Sequence, residues 1–176
     1  MKKALILQGW YQKPESNWYP WLKQNLETKG YTVYLPDLPT IHTDIPNWSL
    51  IKNELINTYD INGIDLVVGH SLGCLMALRL GEEFKINRLI LVSGWDFNDL
   101  TKGHIHFWET PINHKNIIKN TQKIYCISSD NDPYFTYCTN EEMSNRLNGK
   151  AIKVEGAGHF TEEFGVREIP QLLTLV

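Results

Sequence analysis

Several things are scarce in this chain of 176 residues, and each scarcity removes a class of protein. Cys74, Cys126 and Cys138 are an odd number with no C-x-x-C spacing, so reduced, buried thiols are expected and not a disulfide framework. No apolar run nears the roughly 18 residues of a membrane span. Met1-Lys2-Lys3 leads only into Ala4-Leu5-Ile6-Leu7 before Gln8 and Gly9 interrupt it, too short for the core of a secretory signal. A cytoplasmic protein with no membrane partner is the expectation. Positive charge is not in excess either. With 17 Lys and Arg against 20 Asp and Glu the net charge is −3, and nucleic acid is not an expected partner. Repeats, low-complexity stretches and charge blocks are missing, and the eight prolines are scattered instead of gathered into a linker. One domain over residues 1–176 is therefore expected, as a monomer or small homo-oligomer.

What is present is globular in balance, with 42% apolar and 21% charged residues. Short β-branched apolar runs alternate with longer stretches at helical spacing, the pattern of a parallel sheet covered on both faces. Strands are expected near residues 2–8, 31–35, 64–69, 88–93, 122–128 and 150–154. Helices are expected at about 18–29, 47–60, 72–84, 139–147 and 161–175. Residues 94–121 show no long helical period and form the one extended excursion, the only stretch available as a cap. The loops that follow the strands of such a sheet converge at one edge, which is where chemistry belongs.

At that edge Ile64-Asp65-Leu66-Val67-Val68 runs into Gly69-His70-Ser71-Leu72-Gly73 and then into the helix former Cys74-Leu75-Met76-Ala77-Leu78-Arg79-Leu80. This is G-x-S-x-G between a strand and a helix, where a sharp turn lifts a serine hydroxyl clear of the sheet. Twelve glycines and seven serines in this chain would produce the spacing by chance about 0.03 times, before the strand and helix are required. A serine nucleophile needs a base, and the base needs a carboxylate to hold its tautomer. Both stand downstream at successive strand ends. Lys123 to Ser128 leads into Ser129-Asp130-Asn131-Asp132-Pro133, and Ile152-Lys153-Val154 into Glu155-Gly156-Ala157-Gly158-His159-Phe160. Of the two carboxylates, Asp132 lies farther along the loop, and Pro133 favours extended angles at the residue before it. Asp132 is thus expected to project towards His159 instead of curling into a turn, while Asp130 serves as a turn or cap residue. Backbone N–H groups of Trp10, in the loop after the first strand, and of Leu72 are the candidate oxyanion donors.

Gly9, Trp10, Tyr11, His70, Trp95, Trp108, Tyr134, Phe135 and Phe160 flank this edge and are candidate pocket residues. Trp18, Trp21 and Leu22 fall at helical spacing and belong to a core. His104, His106 and His114 include an H-x-H, yet no acidic or cysteine ligand stands at a metal-like spacing, so exposed or hydrogen-bonded histidines are expected and no metal or cofactor.

Together these segments resemble a known family. Gly9-Trp10, Asn17-Trp18-Tyr19-Pro20-Trp21-Leu22, Pro36-Asp37-Leu38-Pro39, Gly69 to Cys74, Leu91-Val92-Ser93-Gly94, Ser129 to Pro133 and Gly158-His159-Phe160 are similar to segments of the small serine hydrolases of the α/β-hydrolase fold, the group of retinoblastoma-binding protein 9 and the bacterial YdeN-like proteins. The resemblance covers nearly the whole chain. It implies an α/β, three-layer αβα sandwich with a six-stranded, mostly parallel sheet and a minimal cap. It also implies Ser71, Asp132 and His159 as the catalytic triad. The chain departs from the bacterial members at Gln8-Gly9, where His-Gly is usual. The expected donor is a backbone N–H, which does not depend on that side chain, but the bonds that fix its loop are expected to differ. A serine esterase or amidase acting on a small-molecule ester or amide is the leading reading. A non-catalytic interaction protein on the same fold, or an acyltransferase using the same nucleophile, are its rivals.

Overall fold

The computed structural model describes residues 1–176. Six strands, β1 (Lys2–Leu7), β2 (Tyr31–Tyr34), β3 (Ile64–His70), β4 (Ile86–Val92), β5 (Thr121–Ser129) and β6 (Lys150–Val154), form one sheet in the order β2-β1-β3-β4-β5-β6. Every neighbouring pair is parallel, so the sheet is wholly and not merely mostly parallel. Strand order reverses between β1 and β3, where Leu7 lies opposite Gly69 in register. The loops leaving β1 and β3 diverge there and open a crevice at the C-terminal edge.

Both faces are covered, so the strands bury alternate residues on opposite sides. Leu5, Leu7, Val67, Leu89 and Leu91 point into a core of 27 residues shared with helices α2 (Trp48–Thr58), α3 (Leu72–Glu83), α4 (His114–Asn120) and α5 (Tyr137–Arg146). Ala4, Ile6, Leu66, Val68, Ile90 and Val92 point the other way, into a core of 16 residues with α1 (Tyr19–Thr28) and the short α6 (Pro170–Leu173). Trp18 and Leu22 are fully buried there and Trp21 packs at its margin. Cys74 and Cys126 are buried, whereas Cys138 is exposed. No helix is long and apolar enough to cross a membrane.

Two stretches differ from the sequence reading. The helix expected over 161–175 is instead a 3₁₀ turn at Glu162–Phe164 and the four residues of α6. Gly165, left-handed at φ 75°, ends the first, and Pro170 can only begin the second. The excursion 94–121 contains a 3₁₀ helix at Lys102–Phe107 and the seven-residue α4, capped by the Asn113 side chain on Asn116 N–H at 3.1 Å. Two turns with one buried residue, Ile117, leave too little periodicity to recognise.

The excursion is fastened down by Arg79 on α3, which is 6% exposed. Its guanidinium donates to the carbonyls of Phe107 and Thr110 and pairs with Glu82 at 3.0 Å. A second clamp is Asp96, whose buried carboxylate takes Arg146 at 2.6 Å and His114 Nε2 at 2.7 Å.

Candidate active site

Ser71 sits between β3 and α3 with φ 53° and ψ −119°, a strained conformation for a residue with a side chain. Two glycines make the turn possible. A Cβ on Gly69 would lie 2.5 Å from the Gly73 carbonyl, and one on Gly73 would collide with the carbonyl of Leu7 in β1. The elbow is thus pressed against the neighbouring strand, and Ser71 Oγ emerges at the crevice.

His159 Nε2 lies 2.9 Å from Ser71 Oγ, and His159 Nδ1 lies 2.9 Å from Asp132 Oδ2. The structure therefore brings the three residues into one hydrogen-bonded line. The loops carrying them are knitted side chain to backbone. Ser129 Oγ accepts from Ala157 N–H at 2.9 Å, Asp130 Oδ1 from Gly156 N–H at 2.8 Å and Asn131 Oδ1 from Gly158 N–H at 2.7 Å. Asp130 is a loop clip, and Asp132 is the carboxylate at the histidine. Asp132 does not avoid a turn, however: its Oδ1 also accepts from the Tyr134 amide at 2.9 Å and the Phe135 amide at 3.3 Å. The proline leaves room for both roles because a carboxylate has two oxygens. Burial pushes the Asp132 carboxyl up, but the His159 ring and the Tyr134 amide outweigh it and hold it below the ordinary range.

Behind this line runs a second one. Gly9 N–H donates to the Tyr19 hydroxyl at 3.2 Å, the hydroxyl lies 2.6 Å from His70 Nδ1, and His70 Nε2 lies 2.8 Å from the His159 carbonyl. One tautomer satisfies every member, with Tyr19 O–H donating to Nδ1 and Nε2–H donating to the carbonyl. Burial, reinforced by His159, lowers the His70 pKa to about 3 despite its bond to that carbonyl, so the ring stays neutral and the tautomer fixed. Trp18 Nε1 adds a bond to the Phe160 carbonyl at 3.0 Å, and Asn17 Oδ1 accepts from Glu162 N–H at 2.9 Å. The start of α1 thereby ties the loop of Gly9 to the loop of His159. Gln8 is fully buried and donates to the Pro36 carbonyl at 2.8 Å, fixing the end of β1 through the chain that follows β2.

The backbone N–H groups of Trp10, in the loop after β1, and of Leu72, in the first turn of α3, have no acceptor within the protein. They are free for an oxygen of a bound group, and the Leu72 amide lies where the α3 macrodipole is positive.

The crevice is a cavity of about 470 Å³ lined by Gly9, Trp10, His70, Ser71, Leu72, Trp95, Tyr134, Phe135 and His159. The Tyr134 and His159 rings meet edge to face with their centres 4.7 Å apart, and Trp95 stacks on Phe135 at 4.6 Å. Three expected lining residues are elsewhere. Tyr11 is half exposed, stacks on the outer side of Trp10 and donates to Asp44. Trp108 packs into the larger core beneath the excursion. Phe160, 1% exposed, belongs to the smaller core, because the chain reverses at His159 and sends neighbouring side chains opposite ways.

Sequence reasoning missed Gln12, Asp99, Thr101, His104, Thr161, Glu163 and Phe164, which also line the cavity. The excursion supplies Asp99, Thr101 and His104, and the tract after His159, read as helix, supplies the last three. His104 is hydrogen-bonded to Asp99 through Nδ1 at 2.8 Å, His114 to Asp96 at 2.7 Å and His106 to Glu109 at 3.4 Å. No three metal-binding side chains come together anywhere.

A nucleophile elbow at the switch point of a parallel sheet is the architecture of an α/β hydrolase. Residues 4–176 match the family model described as "Serine hydrolase", and the chain belongs to that family. Among curated relatives, it is 26% identical over 180 residues to YdeN of Bacillus subtilis (strain 168), covering 96% of this chain and 91% of that one. It is 28% identical over 167 residues to the serine hydrolase RBBP9 of Rattus norvegicus, covering 89% and 87%. The crystal structure of the Bacillus subtilis ydeN gene product superposes with a TM-score of 0.87 at 23% identity, over 99% of this chain and 96% of that one. A carboxylesterase structure from Nitrososphaera gargenis superposes at 0.70 and 12%, over 99% and 88%.

Proposed function

We propose that this serine hydrolase cleaves short-chain carboxylic esters or small amides through an acyl-enzyme, with Ser71 as nucleophile, His159 as general base and Asp132 as its orienting carboxylate. The observation that carries the reading is the unbroken line from Ser71 Oγ through the two ring nitrogens of His159 to Asp132, each step 2.9 Å. Ser71 Oγ attacks the substrate carbonyl carbon while its proton passes to His159 Nε2. The imidazolium so formed is stabilised by Asp132, and the carbonyl oxygen, now negative, takes the free N–H groups of Trp10 and Leu72. His159 returns the proton to the leaving alcohol or amine, whose bond to the acyl carbon breaks. Water, deprotonated by the same nitrogen, then attacks the acyl-serine and restores the hydroxyl.

The cavity of about 470 Å³ suits a small acyl group, and the excursion over it is too short to enclose a lipid-length chain. The experiment is labelling with a fluorophosphonate followed by ester hydrolysis. Wild-type protein is expected to carry a covalent adduct at Ser71, Ser71→Ala none, and kcat/KM is expected to be higher for butyryl than for palmitoyl esters below micelle-forming concentrations. Folded wild-type protein that neither labels nor hydrolyses any ester would overturn the proposal in favour of a non-catalytic interaction protein.

A further inference from the structure

The charge and chemistry of the cavity's outer wall select among esters. The wall contributed by the excursion and by the turn after His159 carries two carboxylates, Asp99 and Glu163, and no lysine or arginine lines the cavity anywhere. Lys102 adjoins Thr101 in the chain but is not part of the lining. Glu163 is exposed and forms no ion pair or hydrogen bond. Asp99 is engaged through one oxygen only. Its Oδ2 takes the Thr101 hydroxyl and His104 Nδ1, both at 2.8 Å, while Oδ1 meets no donor. His104 has 9% of its side chain exposed and bonds within the protein through Nδ1 alone. With Nδ1–H donated to Asp99, Nε2 is the ring nitrogen left without a partner in the protein.

Aromatic rings surround these acceptors. Trp10 and Trp95 each lie 5.1 Å from the His104 ring, and Phe135 stacks on Trp95. Two carboxylates in a partly dry cavity that no lysine or arginine lines attract a cation by charge and disfavour an anionic chain end.

We infer that the substrate carries an alkylammonium group, and that Asp99, held by His104, and Glu163 are the residues that select it. The inference rests on the ester or amide hydrolysis proposed above, since it assigns the non-reacting part of that substrate. The nitrogen is a recognition element and takes no part in bond breaking. It draws the substrate in from solution and spends its binding energy on holding the carbonyl at Ser71.

The test compares p-nitrophenyl esters of 6-aminohexanoic, heptanoic and adipic acids, which place an ammonium, a methyl or a carboxylate at the chain end. The parallel series on the alcohol side is 4-aminobutyl against pentyl butyrate. The cationic member is expected to exceed its neutral partner in kcat/KM by roughly tenfold or more in at least one series, with the adipate slowest. That ratio should shrink towards one in Glu163→Gln and in Asp99→Asn, and should decline as salt is raised. Glu163 lies on the surface, so its variant keeps the test readable if Asp99→Asn disturbs the excursion. Hydrolysis of heptanoyl and pentyl esters with no preference for ammonium in either series, or with the adipate preferred, overturns this inference and leaves the proposed hydrolase standing. A folded protein that turns over none of these esters and takes no fluorophosphonate overturns both.

Discussion

Behind the hydrogen-bonded line of Ser71, His159 and Asp132, the loops that carry Gly9, Ser71 and His159 are joined by buried polar atoms paired in sequence, from the Gly9 amide through Tyr19 and His70 to the His159 carbonyl. In front of them the stretch from Phe97 to Ile105 exposes Phe97 at 44%, Leu100 at 85% and Ile105 at 59%, and leaves Asp99 Oδ1 without a donor. The contrast separates two demands. Reacting groups must be held within a fraction of an ångström, which calls for fully paired buried networks. Recognition of the remainder of a substrate tolerates looser packing.

Four substitutions sharpen this comparison on the rigid side. The largest effect is expected at Asp132. Asp132→Asn keeps the size of the side chain but favours the wrong imidazole tautomer, and should lower kcat on the order of 10⁴-fold. Its neighbour Asp130 clips only the Gly156 amide, and Asp130→Asn should cost less than about tenfold. Steady-state kinetics of the two side by side decide the matter, and a more damaging Asp130→Asn would move the carboxylate role away from Asp132.

Tyr19→Phe comes next. It removes one oxygen, yet it strips both the Gly9 amide and His70 Nδ1 of their partner in a buried setting. Loops that carry the proposed oxyanion donors and the proposed base would lose their common reference, and kcat should fall by roughly ten- to a hundredfold with little change in KM. An equal loss in both constants would assign Tyr19 to substrate binding instead.

The smallest effect concerns pH. With its folded pKa lowered to about 3, His70 binds no proton near pH 5, whereas in the unfolded chain it titrates near 6.5. The unfolded state therefore binds more protons between those values, and the stability contributed by a neutral His70 is fully present above about 6.5 and is lost as pH falls. Between pH 7 and pH 5 the wild type should lose about 2 kcal/mol more than His70→Gln, read from urea midpoints. Parallel curves for the two proteins would mean that the ring protonates in the folded state.

The paired wall was largely legible in the sequence and the open one was not. Strand runs such as Leu66-Val67-Val68 and the Gly69 to Gly73 turn are local signals, set by burial on both faces and by steric exclusion. Trp18 and Leu22 announced a core by spacing, although nothing in their pattern revealed that Tyr19 between them reaches His70, a contact 51 residues distant along the chain. The outer wall has no period to read. Asp99, Thr101 and His104 gain their meaning from one another and from the cavity, and the helix expected from Thr161 onward is broken by Gly165 and Pro170. Tyr11, Trp108 and Phe160 were misplaced for a related reason: an aromatic residue beside an active loop has two sides to turn to, and the sequence does not say which.

The anchoring of the excursion by Arg79 bears on how this chain can change over time. The guanidinium holds carbonyl oxygens of Phe107 and Thr110, atoms that every amino acid supplies. A side-chain contact would tie the lid's composition to its attachment, but a grip on the main chain leaves the two independent. Residues facing the cavity from this segment can therefore be exchanged, one charge or ring for another, while the segment stays where it is. A lineage descending from this protein could acquire a new substrate preference by rewriting Asp99, Thr101 and His104 while Gly103, where a Cβ would meet the Trp10 ring, stays fixed, without disturbing the elbow or the histidine beneath.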